Sequence, residues 1–266
     1  MRTAALLPTA LGAWLLVFSA EEATPAEPKA GTTLAFVACP IVRNTQVPCW
    51  LAPYRGELYF IAAQGGAASD VLVPQLNHQA LIEGVVTDET ICGGRVLRPV
   101  KASVLPELDR TCNAIIPAEG YASPEPQGRT PEPMPLPANV TGRPKPTTFE
   151  PPYVRRAFTV EFDFDWDRTW VGNRTRPGFT PIESAANYAV ASKARRVEVV
   201  GYRGTAKLSD GQRMDERSDI AARRAQKLTQ ALIDLGVPQQ TLVMRSQDAV
   251  TGEGIASRRA VITVIP

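Results

Sequence analysis

Ten prolines fall between Pro124 and Pro152, and they divide this chain more firmly than any other feature. The stretch SPEPQGRTPEPMPLPANVTGRPKPTTFEPP shows almost no apolar periodicity. Proline fixes φ and lacks the N–H that helices and sheet ladders use, so such a run favours extended polyproline II over a packed element. Residues 117–152 are therefore expected to be a spacer between two independently folded units, 30–116 and 153–266. A partner that reads proline-rich segments is the other reading of this stretch.

The first unit reads as a small all-β domain. Candidate strands are 34–38, 57–62, 79–86 and 96–104, separated by Pro, Gly, Asn and Asp clusters. Short strands in fewer than about ninety residues predict a small barrel or sandwich, with an OB-like barrel as the specific expectation. All four cysteines (Cys39, Cys49, Cys92 and Cys112) lie here. An even number in an exported chain predicts two disulfides, with three connectivities open. Local pairing, Cys39 with Cys49 and Cys92 with Cys112, is expected because short loops close readily. No Cys-x-x-Cys spacing exists and His78 is the sole histidine, so neither a redox pair nor a metal site is expected.

Residues 1–20 have the pattern of an export signal. Arg2 supplies a positive start, residues 4–18 are almost wholly apolar, and Ser19 and Ala20 precede Glu21-Glu22. The run is shorter than the roughly 20 residues of a membrane span. An uncleaved N-terminal anchor is the alternative to a cleaved signal, and no other segment is expected to cross a bilayer. The expected location is the cell envelope, in the periplasm or at the outer membrane.

The second unit has a clear order. Phe158, Val160, Phe162, Phe164 and Trp166 alternate with polar residues, as in a strand with one wet face. A helix is expected from Pro181 to about Lys193, a strand over 196–200, a longer helix from Asp215 to Leu235, and strands at 241–245 and 259–265. The expected layout is β-α-β-α-β-β, an α+β fold with helices on one face of the sheet. Along it stand VEVVGYRG at 197–204, IAARRAQKL at 220–228, LGVP at 235–238 and SRRAVITV at 257–264. In this order and at these separations, the motifs resemble those of the OmpA-like C-terminal domain family.

That resemblance implies an envelope protein that holds the peptide stem of peptidoglycan non-covalently. In the family an Asp ending the strand before the second helix and an Arg on that helix clasp a diamino acid of the stem, the guanidinium fork reading a carboxylate. The Arg maps to Arg224. The Asp maps to Gly204, and its neighbours become Tyr202 and Arg203. The ligand set the resemblance implies is thus Arg224, Arg203, Tyr202 and Arg259, with the ammonium-reading anion missing. Gly204→Asp is expected to restore it. On the helix, Arg224 borders the apolar stripe of Ala221, Ala225, Leu228, Leu232 and Leu235. Its other reading is a structural Arg paired with a nearby acid such as Asp219.

Two functional readings follow. One is a non-catalytic envelope module that contacts peptidoglycan weakly or with altered specificity. The other is a structural or protein-interaction module on the same fold with that binding lost, its partners being other envelope proteins. No enzyme, cofactor or nucleic-acid role is expected: one histidine cannot serve a catalytic triad, and the net charge is only +2. From Tyr153 onward there are 18 Lys/Arg against 13 Asp/Glu, which suits an anionic polymer or simply keeps the domain soluble. The acids Glu161, Asp163, Asp165 and Asp167 read as a solvated strand face rather than a paired-carboxylate site.

Overall fold

The computed structural model describes residues 28–64, 74–122, 156–169, 181–250 and 252–266. The signal-like segment 1–20 lies outside the described residues, as does most of the proline-rich spacer. In the first half, seven strands form one sheet: β1 (Thr33–Ala38), β2 (Ile41–Arg43), β3 (Cys49–Tyr54), β4 (Glu57–Ala63), β5 (His78–Ile91), β6 (Gly94–Leu108) and β7 (Ile115–Ile116). Their order is β1-β5-β6-β4-β3-β2-β7. Two-residue turns drive the hairpins: Arg55-Gly56 joins β3 to β4 and Cys92-Gly93 joins β5 to β6, all four residues at positive φ as a type I′ turn requires.

The expected closed, OB-like barrel is not what forms. Closure needs hydrogen bonds between the first and last strands, and β1 and β7 are instead the two edges of an open sheet. The edge of β1 is taken up elsewhere: the Ala35 amide donates to Ser209 Oγ (2.9 Å) and its carbonyl accepts from the Ser209 amide (2.7 Å), across the boundary between the halves. The strand Cys49–Tyr54 was hidden in the sequence by Pro48 and Pro53. Pro53 sits beyond the end of β2, where no ladder partner needs its missing N–H.

The disulfides also differ from expectation. Two are present, but they join Cys39 to Cys112 and Cys49 to Cys92, spanning 73 and 43 residues. Closing a longer loop adds under about 2 kcal/mol of chain entropy, which strand placement easily outweighs. Cys39 follows β1 and Cys112 precedes β7, and the Asn77 amide donating to the Cys112 carbonyl (2.6 Å) holds that corner against the start of β5.

The second half contains β8 (Phe158–Asp163), α1 (Pro181–Ala191), β9 (Arg196–Tyr202), β10 (Thr205–Lys207), β11 (Arg213–Asp215), α2 (Ile220–Asp234), β12 (Leu242–Gln247) and β13 (Arg259–Ile265). Four strands make a sheet in the order β12-β9-β13-β8, with β10 and β11 a separate hairpin. The expected β-α-β-α-β-β layout is therefore corrected to β-α-β-β-β-α-β-β. Strands dominate the described residues, which contain two α-helices. The sequence had assigned Asp215 to a helix that in fact begins at Ile220. Asp215 instead pairs with Thr205 across the hairpin, whose Asp210-Gly211 turn places the glycine at φ 93°.

Helix α2 lies close over β9. A Cβ built on Gly201 would stand 2.0 Å from the Ala221 carbonyl oxygen, so only glycine admits this approach. Val197, Val199, Ala225, Leu228, Leu232, Ala260 and Ile262 fill the core beneath it. No helix among the described residues is long and apolar enough to cross a membrane.

The halves are not separate. Trp166, Ala206 and Leu208 from the second share a buried cluster with Leu81 and Leu105 from the first. Glu83 of β5 meets Arg258 in a buried two-pronged ion pair, Nη1 at 3.3 Å from Oε1 and Nη2 on Oε2. Ser103 Oγ accepts from the Trp166 amide (3.1 Å), and Lys101 pairs with Asp165 (3.2 Å). Contacts of both kinds, apolar and charged, thus join residues 30–116 to residues 153–266.

Candidate functional site

Arg224 sits on α2 with no solvent exposure. Its guanidinium has five N–H groups, and each has a partner within the protein. Nε donates to the Arg168 carbonyl (3.1 Å). Nη1 donates to the Tyr202 carbonyl (2.9 Å) and to Glu216 Oε2 (2.7 Å). Nη2 donates to the Asp165 carbonyl (3.3 Å) and to Glu216 Oε1 (2.6 Å). The Phe164 ring lies 4.7 Å from the guanidinium carbon.

Glu216 is equally enclosed and equally satisfied. Its Oε1 also accepts from the Asp167 amide (2.9 Å) and its Oε2 from the Gly204 amide (2.8 Å). A carboxylate offers about four lone-pair positions, and four donors fill them here. The bidentate fork is the strong geometry for a buried Arg–carboxylate pair. It ties together the segment after β8, the end of β9, the segment after β11, and α2. The sequence had offered Asp219 as the structural partner. In the structure Asp219 bonds Arg217 (3.0 Å) and lies 3.7 Å from Arg223, both on the surface.

The other residues of that set are dispersed. Arg203 Nε donates to the Glu216 carbonyl, so it buttresses the same corner. Tyr202 and Arg259 are cross-strand neighbours on β9 and β13, with the Arg259 guanidinium 4.9 Å from the Tyr202 ring. Because Gly201 and Ala260 face the helices, these two project from the opposite side of the sheet, away from Arg224. Arg259 also approaches Glu161 (3.5 Å). Sequence reasoning missed Glu216 and Glu83. Glu216 stood in the loop DERSD eight residues before Arg224, a spacing with no helical meaning once α2 starts at Ile220. Glu83 had no signal beyond being an acid within an apolar strand.

The Gly204 amide donates to the carboxylate of Glu216, so the anion at this corner comes from position 216. Gly204 is not at positive φ, but a Cβ there would meet Arg258 Cγ at 2.4 Å and Ser257 Oγ at 2.7 Å. Gly204→Asp is accordingly expected to destabilise the fold by about 1–3 kcal/mol rather than rebuild a ligand site. Thermal denaturation of the variant beside sacculus co-sedimentation checks this. A stable variant with new binding would contradict it.

The acidic run is not one wet face. The strand ends at Asp163, Asp165 pairs with Lys101, and Asp167 Oδ1 accepts from the Arg217 amide (2.8 Å). Burial raises the Asp167 carboxyl above its ordinary range, opposed by the Arg217 amide bond and reinforced by the nearby Glu216 charge. A carboxyl whose folded pKa is raised weakens the fold once ionised, and that penalty vanishes as pH falls below the unfolded value near about 3.9. Asp167→Asn keeps the acceptor and tolerates the residue's φ of 51°. The variant should melt higher than wild type at pH 7, with the difference closing at pH 3. A lower melting point at pH 7 would mean that the charge itself is needed. His78, at the start of β5, has Nδ1 3.0 Å from the Leu105 carbonyl and no place in this cluster.

No family model matches the chain, and neither does any curated protein. Among solved structures it is similar to the OmpA-like domain of FopA1 from Francisella tularensis subsp. tularensis SCHU S4. Identity is 15%, the TM-score is 0.32, and the match covers 41% of this chain and 73% of that one.

Proposed function

We propose that this is a non-catalytic cell-envelope protein that serves as a structural and interaction module, its arginine grip closed by its own carboxylate. The observation that carries this reading is the Glu216–Arg224 fork. A stem-peptide carboxylate would need two parallel N–H groups of Arg224, and both are held by Glu216 at 2.6 and 2.7 Å. Breaking into such a pair leaves a buried charge unmatched, a penalty of about 3–5 kcal/mol that a weak ligand does not offset. Envelope location is supported by the export-type pattern of residues 1–20 and by two disulfides. The motifs at 197–204, 220–228, 235–238 and 257–264 support descent from the peptidoglycan-binding type of domain.

Co-sedimentation of the purified chain with isolated sacculi tests the reading. The expected result is no retention above a non-binding control at moderate salt. Retention that Arg224→Lys abolishes would restore the peptidoglycan-contacting reading, because it would mean that a ligand displaces Glu216.

A further inference from the structure

A cavity of about 480 Å³ opens beside the edge of β1 past the Ser209 contact, between the first sheet and the β10–β11 hairpin. Both Phe36 and Val37 line it. Successive strand residues point to opposite faces, so a space touching both lies along the strand's edge rather than over one face. Phe36 and Tyr54, stacked at 4.5 Å, form one wall. Leu105, Leu208 and Met214 form the other. A strand laid along this edge would find an apolar wall for the side chains on each of its two faces.

The backbone of β1 has the matching polarity. The Val86 amide bonds the Thr32 carbonyl, and the register of β1 on β5 then turns alternate residues, among them Ala35 and Val37, outward. Ala35 is already bonded there, both ways, by Ser209. Two residues further on, the amide and carbonyl of Val37 have no hydrogen-bond partner among the described residues. Ser209 thus makes the first contact of an added strand and stops, and the cavity continues the row. We propose that this edge receives an extended peptide segment of a partner protein, which pairs its main chain with Val37 and places apolar side chains in the cavity. Continuity with the Ser209–Ala35 contact, rather than an apolar surface alone, argues for a peptide. The inference rests on the interaction-module reading and names its kind of partner.

The test uses the full chain and a panel of synthetic ten-residue peptides that alternate apolar residues with threonine, each with a counterpart N-methylated at alternate amides. Fluorescence anisotropy should find binders whose N-methylated forms are weaker by about 10-fold, since lost main-chain bonds have no substitute. Gln212→Trp, an exposed rim residue whose enlargement fills the cavity, should weaken binding similarly while leaving the melting temperature unchanged. The proposal is overturned if no peptide binds. Equal binding by the N-methylated forms would also overturn it, in favour of a small apolar ligand. So would a dimer of the chain that Gln212→Trp dissolves, which would make the occupant a second copy. Sacculus retention is read separately, so failure of the parent reading is distinguishable from failure here.

Discussion

Glu216→Ala is expected to destabilise the protein by about 3–5 kcal/mol, because it strands the Arg224 charge in a site with no water to solvate it. For a chain of this size the melting temperature should fall on the order of 10 °C. The loss exceeds that of an ordinary hydrogen bond because two guanidinium donors and the amides of Asp167 and Gly204 are orphaned together. Two further outcomes separate this from simple truncation. Formate or acetate at high concentration should recover part of the lost melting temperature in Glu216→Ala and none in wild type, since a small carboxylate fits the vacated fork. Replacing both partners with apolar residues, Glu216→Leu with Arg224→Met, should be less harmful than Glu216→Ala alone. If Glu216→Ala melts within about 1 kcal/mol of wild type, the pair is not held in solution and Arg224 is open to ligands.

The second large effect is expected between the halves. Arg258 has no exposed side-chain surface and leans on the Trp166 ring (5.6 Å), with Glu83 as its counter-charge. Glu83→Ala should cost about 3–5 kcal/mol by the same reasoning. Its signature differs, because the lost bond crosses the boundary between the two sheets. Wild type should unfold in one cooperative transition, and a chain severed by a protease site engineered within 123–155 should still migrate as one particle. Glu83→Ala should split the transition in two, and its severed form should separate on gel filtration. Two transitions in the wild type, or immediate separation on cutting it, would return the halves to independent units.

Local order was legible in the sequence where a single periodicity ruled. Alternation located β8, and the 3.6-residue stripe of Ala221, Ala225, Leu228 and Leu232 marked the buried face of α2, because each pattern expresses one buried face. Arg224 was recognised as unusual for the same reason: it borders that stripe. Tertiary structure alone decided its partner. Glu216 reaches the guanidinium because the β10–β11 hairpin folds back, and nothing in the residues from Thr205 to Asp215 has the strength of a local signal. The hairpin also corrected the layout and brought Ser209 to the edge of β1. Disulfide pairing followed strand order in space rather than spacing in sequence, since chain entropy discriminates among loop lengths only by the logarithm of their size. Burial and periodicity are properties of neighbouring residues, and a sequence can carry them openly. The mates of Arg224, Arg258, Cys39 and Ala35 are properties of packing, and only the assembled sheets determine them.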